Sequence, residues 1–380
     1  MELNSKFFRL TRHLDTPFIV YDLQKIKENY RNVARAFPKV AIHFVMKSNA
    51  HPTILQTLHR MEAGFEVASI FETEQLVKLR VAPNKIVCLH PIKSPQFLTY
   101  MHKHTIDVMA VDSYEEVDKI ARFAPNAKLV IRVTVDNNGS GWQLTGKYGI
   151  SVTELPQLFQ YIVQKKLNPY GVTFHVGSQC YDESNWIKAL YICNDVWKQA
   201  ARKNIHLKLL SLGGGLAIQY TKPVPDIAHT GKIVMKEIKS NFDHAKDMLV
   251  SIEPGRAIVA NAGTLVTTVF GKAKRGDKEW LYIDTGTYNG LVEAIETPDR
   301  QFYPLTTQHD NRAKKTYTIG GPTCVSLDTP FEDVALAEIH LDERLYIHNC
   351  GAYTTTCAAP FNGFPIPKEY IWEDLYAHNA

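Results

Sequence analysis

With 380 residues, 45% hydrophobic and 22% charged, the chain can bury one large core and a smaller one, which excludes a disordered or fibrous protein. The net charge of +4 comes from scattered basic residues in groups no longer than Lys165-Lys166 and Lys314-Lys315, an ordinary solvated surface that argues against a nucleic-acid partner. No apolar run approaches the roughly 18 residues needed to span a bilayer, so no membrane partner is expected either.

Residues 1–14 mix Lys6, Arg9 and Arg12 with apolar residues and show no export pattern, so a cytoplasmic protein is expected. The segment FIVYDL at 18–23 is strand-like, and its pairing with a later β region stays open. Eight short apolar runs follow: 41–46, 65–69, 85–90, 106–111, 128–135, 170–176, 207–212 and 248–253. Between them lie helix-like stretches such as 52–62, 71–79, 113–123, 184–202 and 231–246. Strand runs apolar throughout, alternating with helices, imply a parallel sheet with right-handed crossovers. Eight such units match the usual size of a closed (β/α)8 TIM-like barrel.

Past Gly263 the segments LVTTVF, EWLYID, KTYTIG and DERLYIHNC are β-rich and separated by turns. The fold class is therefore α/β plus all-β: a barrel over 20–262, with 1–19 and 263–380 forming a β-sandwich or β-barrel domain. Six cysteines, at 88, 180, 193, 324, 350 and 357, lack the paired short spacing of zinc sites, so no metal is expected and any cysteine that matters does so as a thiol.

Barrel enzymes work at the carboxyl ends of their strands, and unusual residues gather there. Lys47 follows the first run, Glu66 and Ser69 lie in the second, Arg132 in the fifth, and His175 closes the sixth. Gly213, Gly214 and Gly215 follow the seventh, and Glu253, Gly255 and Arg256 end the eighth. A strand-end lysine ordinarily snorkels to solvent, but a desolvated amine suits Schiff-base chemistry with an aldehyde cofactor. The glycine run reads either as a turn or as a phosphate cradle of bare N–H groups. Glu253 reads either as the ion-pair partner of Arg256 or as an acid holding a pyridine nitrogen protonated. His175 reads either as a hydrogen-bonded core histidine or as a ring stacked on an aromatic cofactor.

At Lys47, FHVGSQ, the triple glycine, EPGR, GPTC and CGAYTTTCAAPFNGF, in this order between Thr16 and Gly363, the sequence resembles the alanine-racemase-type (fold type III) pyridoxal-phosphate decarboxylases. That group holds the ornithine, lysine, diaminopimelate and carboxynorspermidine decarboxylases. The resemblance implies that Lys47 anchors pyridoxal 5'-phosphate, His175 stacks on its ring and Glu253 binds its nitrogen. It also implies that Ser178, Gly213 to Gly215, Arg256 and Tyr353 hold the phosphate, that Arg132 and Lys147 shape the site, and that Glu66 stands where many relatives have aspartate, which keeps the charge and lengthens the reach. Cys324 matches a thiol that enters the neighbouring subunit's site as proton donor, and Tyr353, Phe361 and Asn362 match the same shared pocket, which implies a homodimer. Racemases of the superfamily place an arginine near the ring nitrogen, so Glu253 points to decarboxylation.

One position departs from the pattern. Relatives acting on ornithine or lysine commonly carry an aspartate after the cysteine, and here it is Val325. Glu293 or Glu296, in a stretch at 284–299 that also carries Tyr288, is the expected alternative reader of the substrate tail, with Asp328 a further option. The leading expectation is a decarboxylase of a small basic amino acid feeding polyamine synthesis. The alternatives are an aminocarboxylate on a larger conjugate, as in siderophore or peptide-nucleotide antibiotic assembly, and a non-catalytic cofactor-binding regulator.

Overall fold

The computed structural model describes residues 3–144, 146–245, 247–296, 300–309 and 311–377. It divides into two compact units, one holding 30–217 and 224–257, the other holding the chain up to Asn29, Ile218–Pro223 and the chain from Ile258 onward. The stretch 20–29 thus stays with the second unit, because the opening strand β1 (Phe18–Tyr21) pairs there.

The first unit is the expected barrel. Its strands are β2 (Ala41–Val45), β3 (Gly64–Glu66), β4 (Ile86–Val87), β5 (Val108–Val111), β6 (Lys128–Arg132), β8 (Asn168–Thr173), β10 (Leu209–Ser211) and β11 (Leu249–Ile252). They run parallel in the order β4-β3-β2-β11-β10-β8-β6-β5. The ring closes through Cys88, whose N–H donates to the Val108 carbonyl at 3.0 Å and whose carbonyl accepts from the Ala110 N–H at 2.8 Å. Val87, Leu89, Ala110, Val130 and Leu209, contributed from four sides of the ring, pack together as buried core. A two-stranded antiparallel ribbon, β7 (Ser140–Trp142) with β9 (Ser178–Cys180), was not anticipated.

The helix expected at 231–246 runs instead over Ile227–Asn241, and Lys246 lies outside the described residues. Asp226 starts it early by accepting the N–H groups of Ala228 and His229, an ordinary N-cap. Gly231, at which the expected helix began, sits inside because a Cβ there would lie 2.3 Å from the Ala36 carbonyl oxygen at the end of the helix Leu23–Ala36. Ser69, assigned to a strand from sequence, lies beyond the end of β3. Its hydroxyl accepts the Glu72 N–H and caps Ile70–Lys78, while the Glu72 carboxylate accepts the Ala68 N–H at 2.6 Å.

The second unit is a mixed sheet. In chain order it contains β12 (Gly263–Arg275), β13 (Lys278–Ile283), β14 (Leu305–Thr307), β15 (Lys314–Gly320), β16 (Phe331–Ala337), β17 (Arg344–Ile347) and β18 (Lys368–Ile371). The path is β14-β17-β12-β13-β15-β16, and β1 adds to it by pairing antiparallel with β12 and parallel with β18. Helices Ser5–Thr11 and Trp372–Ala377 cover one face, burying Phe7, Leu10, Phe18, Val266, Tyr346 and Trp372 together. Among the described residues, no helix is long and apolar enough to cross a membrane.

A buried ion pair completes the closing seam at the barrel mouth. Lys93, 2% exposed, donates through Nζ to the carbonyls of His90, Pro91 and Ala110 at 3.0, 2.9 and 2.6 Å, and pairs with Glu116 at 3.1 Å. The ammonium thus caps strand-end carbonyls just where the ladder stops. Removing one partner of such a pair leaves buried groups uncompensated. In urea unfolding, Lys93→Ala is expected to lose about 3 kcal/mol or more, and a loss below about 1 kcal/mol would show that the seam does not depend on it.

Candidate active site

β2 is an apolar strand buried from Ile42 to Val45, and the chain leaves it in a single 3-10 turn, Met46–Ser48, that carries Lys47. Two contacts lock this turn to the end of the neighbouring strand β11. The Val45 N–H donates to the Pro254 carbonyl at 3.3 Å, and a Cβ on Gly255 would lie 2.9 Å from Ser48. Lys47 and Glu253 therefore leave adjacent strands at the same end of the barrel. Lys47 is accessible to solvent, and its ammonium lies close enough to lower the Glu253 and Glu72 carboxyls and the imidazoles of His90 and His175.

Glu253 is buried, and its carboxyl is pushed up to about 7, first by burial and then by the charge of Glu66, with Lys47 and Arg132 pulling it back. It accepts a hydrogen bond from the Ser211 hydroxyl, which carries no charge to offset its own. The ion pair with Arg256 weighed from sequence gives way to another arrangement. The Arg256 guanidinium donates to the Ser178 hydroxyl at 3.3 Å and lies 4.7 Å from the centre of the Trp142 ring. Glu66, at the end of β3, is 3% exposed.

His175 is half-buried, and desolvation followed by the charges of Arg132 and Lys47 holds it well below the usual histidine range, so it is a neutral ring. Its Nδ1 accepts the Gly177 N–H at 3.0 Å, leaving the proton on Nε2. The same Nε2 lies 3.1 Å from where a Gly214 Cβ would stand. Gly213 has φ +62°, and a Cβ there would lie 2.0 Å from the Phe174 carbonyl oxygen, so the turn after β10 admits only glycine. Arg132 is held below its ordinary value by burial, offset by Glu253, Asp112 and Glu66, and sits 5.6 Å from the Tyr148 ring centre.

The barrel unit thus gathers Lys47, Glu66, Arg132, His175, Ser178, Gly213, Gly214, Gly215, Glu253, Gly255 and Arg256 at one end. Three features fit pyridoxal phosphate: a buried carboxylate raised by desolvation and bonded only to a neutral hydroxyl, a neutral ring beside the glycine turn, and the Ser178–Arg256 pair, whose serine follows the Gly177 that Gly215 approaches. Lys147, also expected here, is exposed and lies 5.2 Å from the Tyr148 ring centre.

The sheet unit carries the other expected residues. Cys324 is exposed on the 321–328 loop, with Val325 half-buried beside it. Tyr353 adopts a left-handed backbone, φ 56°. Tyr288 and Phe361 pack as tilted rings 4.6 Å apart. Glu293 is buried and Glu296 exposed, and residues 297–299 of that stretch lie outside the described residues. Asp328, an option for the substrate tail, is spent on backbone: its carboxylate accepts the N–H groups of Thr287 at 2.7 Å and Thr323 at 2.9 Å.

Two residues of the barrel end were missed from sequence. Asn137 donates to the carbonyls of His175 and Val135 at 2.9 and 3.2 Å and accepts the Leu144 N–H at 2.9 Å, so it fixes the His175 loop. His90, held to about 4 by burial and by Lys93, Lys47 and Arg132, packs edge-on against Tyr148 at 5.4 Å. The position of His90 at the end of the 85–90 run was the available signal, whereas Asn137 offered none.

The Glu253 carboxyl sits above its ordinary 4.5, so its folding contribution is full below that value and is lost as pH rises toward and through 7. In the cofactor-free protein, Glu253→Gln should therefore gain stability at pH 8, by at most about 3 kcal/mol, and the gain should shrink toward pH 4.5. Chemical unfolding across this range checks it, and a pH-independent difference would contradict it.

The model of the family described as "Pyridoxal-dependent decarboxylase, pyridoxal binding domain" matches residues 23–260. A lysine/ornithine decarboxylase of Selenomonas ruminantium is 32% identical over 96% of this chain and 92% of its own length. The crystal structure of lysine decarboxylase from the same organism superposes with a TM-score of 0.90 at 30% identity, over 100% of this chain and 99% of that one. A lysine/ornithine decarboxylase from Vibrio vulnificus, solved with cadaverine, gives 0.88 at 26% identity over 98% of each chain. The chain belongs to the pyridoxal-dependent decarboxylases.

Proposed function

We propose that this enzyme removes the α-carboxylate of a small basic amino acid of the lysine or ornithine kind, as a cytoplasmic homodimer with shared active sites. The observation that carries the chemistry is the buried Glu253, its carboxyl raised by desolvation, leaving the strand next to the one whose following turn carries Lys47. Bound there, pyridoxal phosphate supplies a sink for the electron pair left at Cα when carbon dioxide departs. Glu253 would face the ring nitrogen and favour its protonated form, which would deepen the sink and give the carboxylate a directly bonded cationic partner. Lys47 Nζ would be the amine that holds the cofactor's aldehyde carbon. Ser178, Arg256 and the bare N–H groups at Gly213 to Gly215 would hold the phosphate, with Tyr353 a further phosphate residue by resemblance. His175 would offer a neutral face to the ring, and Glu66 and Arg132 would balance charge around it. Cys324, supplied by the second copy, gives its thiol proton to Cα. Six cysteines present as thiols suit a reducing compartment.

The substrate class draws support from relatives named for lysine and ornithine, with Glu293 reading the distal ammonium, helped by Glu296 and by the Tyr288–Phe361 wall. A second reading, an aminocarboxylate on a larger conjugate, is favoured by a separate observation. Val325 is apolar, Asp328 is bonded to backbone, and Asp284 is held by Thr16, Thr267 and Thr268, so none of the three offers a free carboxylate. An ammonium buried without a partner costs several kcal/mol.

Carbon dioxide release from lysine, ornithine, arginine, diaminopimelate and carboxynorspermidine separates the readings. The proposal expects kcat/KM for lysine or ornithine to lead the set, and Glu293→Gln to raise KM for it about tenfold or more by removing a charged hydrogen bond. Bound cofactor with no turnover of any of the five would overturn the simple-amino-acid reading in favour of the conjugate or a regulator.

A further inference from the structure

We infer that Asp328 is a positioning residue for Cys324, its carboxylate fixing the loop that presents the thiol and tying it to the loop that carries Tyr288. The inference rests on reading Cys324 as the proton donor. The loop from Gly321 to Asp328 is closed at its base by a backbone bond, the Gly321 N–H donating to the Asp328 carbonyl at 2.8 Å. Asp328 then reaches inward twice. Its own N–H donates to the Val325 carbonyl at 2.9 Å, and its Oδ2 accepts the Thr323 N–H at 2.9 Å, so the residues on either side of Cys324 are both held by Asp328. Its Oδ1 accepts the Thr287 N–H at 2.7 Å, which joins the neighbouring loop next to Tyr288.

The space around the carboxylate shows that this arrangement is built in. A Cβ on Gly286 or Gly321 would lie 2.1 or 2.3 Å from Asp328 Oδ1, so both glycines leave room for it. Asp328 is 3% exposed, whereas Cys324 at the loop tip is exposed. A thiol on an exposed tip has many orientations, and proton delivery to one carbon requires few of them. The carboxylate supplies that restriction through two N–H groups that would otherwise be unpaired where they are buried.

The test compares Asp328→Asn, Gly321→Ala and Cys324→Ala with the wild-type holoenzyme, using lysine and ornithine. Two readouts are followed: amide exchange over 321–328, and the pyridoxamine phosphate formed per carbon dioxide released. Pyridoxamine phosphate forms when the proton goes to the cofactor's carbon instead of Cα, the amine product being replaced by an aldehyde after hydrolysis. An amide at 328 keeps one acceptor and points donors at a donor, and the added methyl of Gly321→Ala displaces the carboxylate. Both variants should exchange the Thr323 amide at least tenfold faster and raise the misdirected fraction about tenfold, with KM changed less than kcat. Unchanged exchange in both variants overturns the clamp. Faster exchange with a wild-type fraction, while Cys324→Ala raises it, overturns the positioning role alone. A wild-type fraction in Cys324→Ala, or no turnover of either amino acid, sinks the reading beneath it and the inference with it.

Discussion

The site depends on one backbone lock between adjacent strands. The Val45 N–H reaches the Pro254 carbonyl, and Gly255 closes on Ser48, so the turn bearing Lys47 and the turn bearing Glu253 cannot move apart independently. Parallel strands make this possible because both turns emerge at the carboxyl end of the barrel. An amine and a carboxylate thereby leave adjacent strands at the same end of the barrel.

Holding those charges is costly, and the surroundings show how the cost is distributed. Glu253 keeps a raised carboxyl, Glu72 rises to about 6 through burial, and His90 and His175 stay neutral among Lys47, Lys93 and Arg132. Each group is displaced in the direction that reduces net buried charge. Lys93 spends its ammonium on carbonyls and Glu116, which stiffens the rim below His90. Such tension is usual where binding supplies the missing partner.

Much of this was legible in the sequence. All eight barrel strands could be read because strands buried on both faces show as unbroken apolar runs, and Lys47, His175 and Glu253 stood out as charged or polar breaks at run ends. Other features depend on contacts distant in sequence. The barrel closes through Cys88, which looks like any apolar strand residue, and the 227–241 helix begins ahead of Gly231 because Asp226 caps it, the glycine being there to make room for Ala36. Ser69 read as strand until the cap it forms was visible. Asp328 looked like a free acid because nothing local shows that its oxygens face two backbone N–H groups.

The most direct measurement is to load the protein with pyridoxal phosphate, reduce it with borohydride and map the modified peptide by mass spectrometry. The account predicts a single reduced adduct on Lys47, formed in the wild type and greatly diminished in Glu253→Ala. An adduct spread over surface lysines, or one on Lys47 that is indifferent to Glu253, would contradict it.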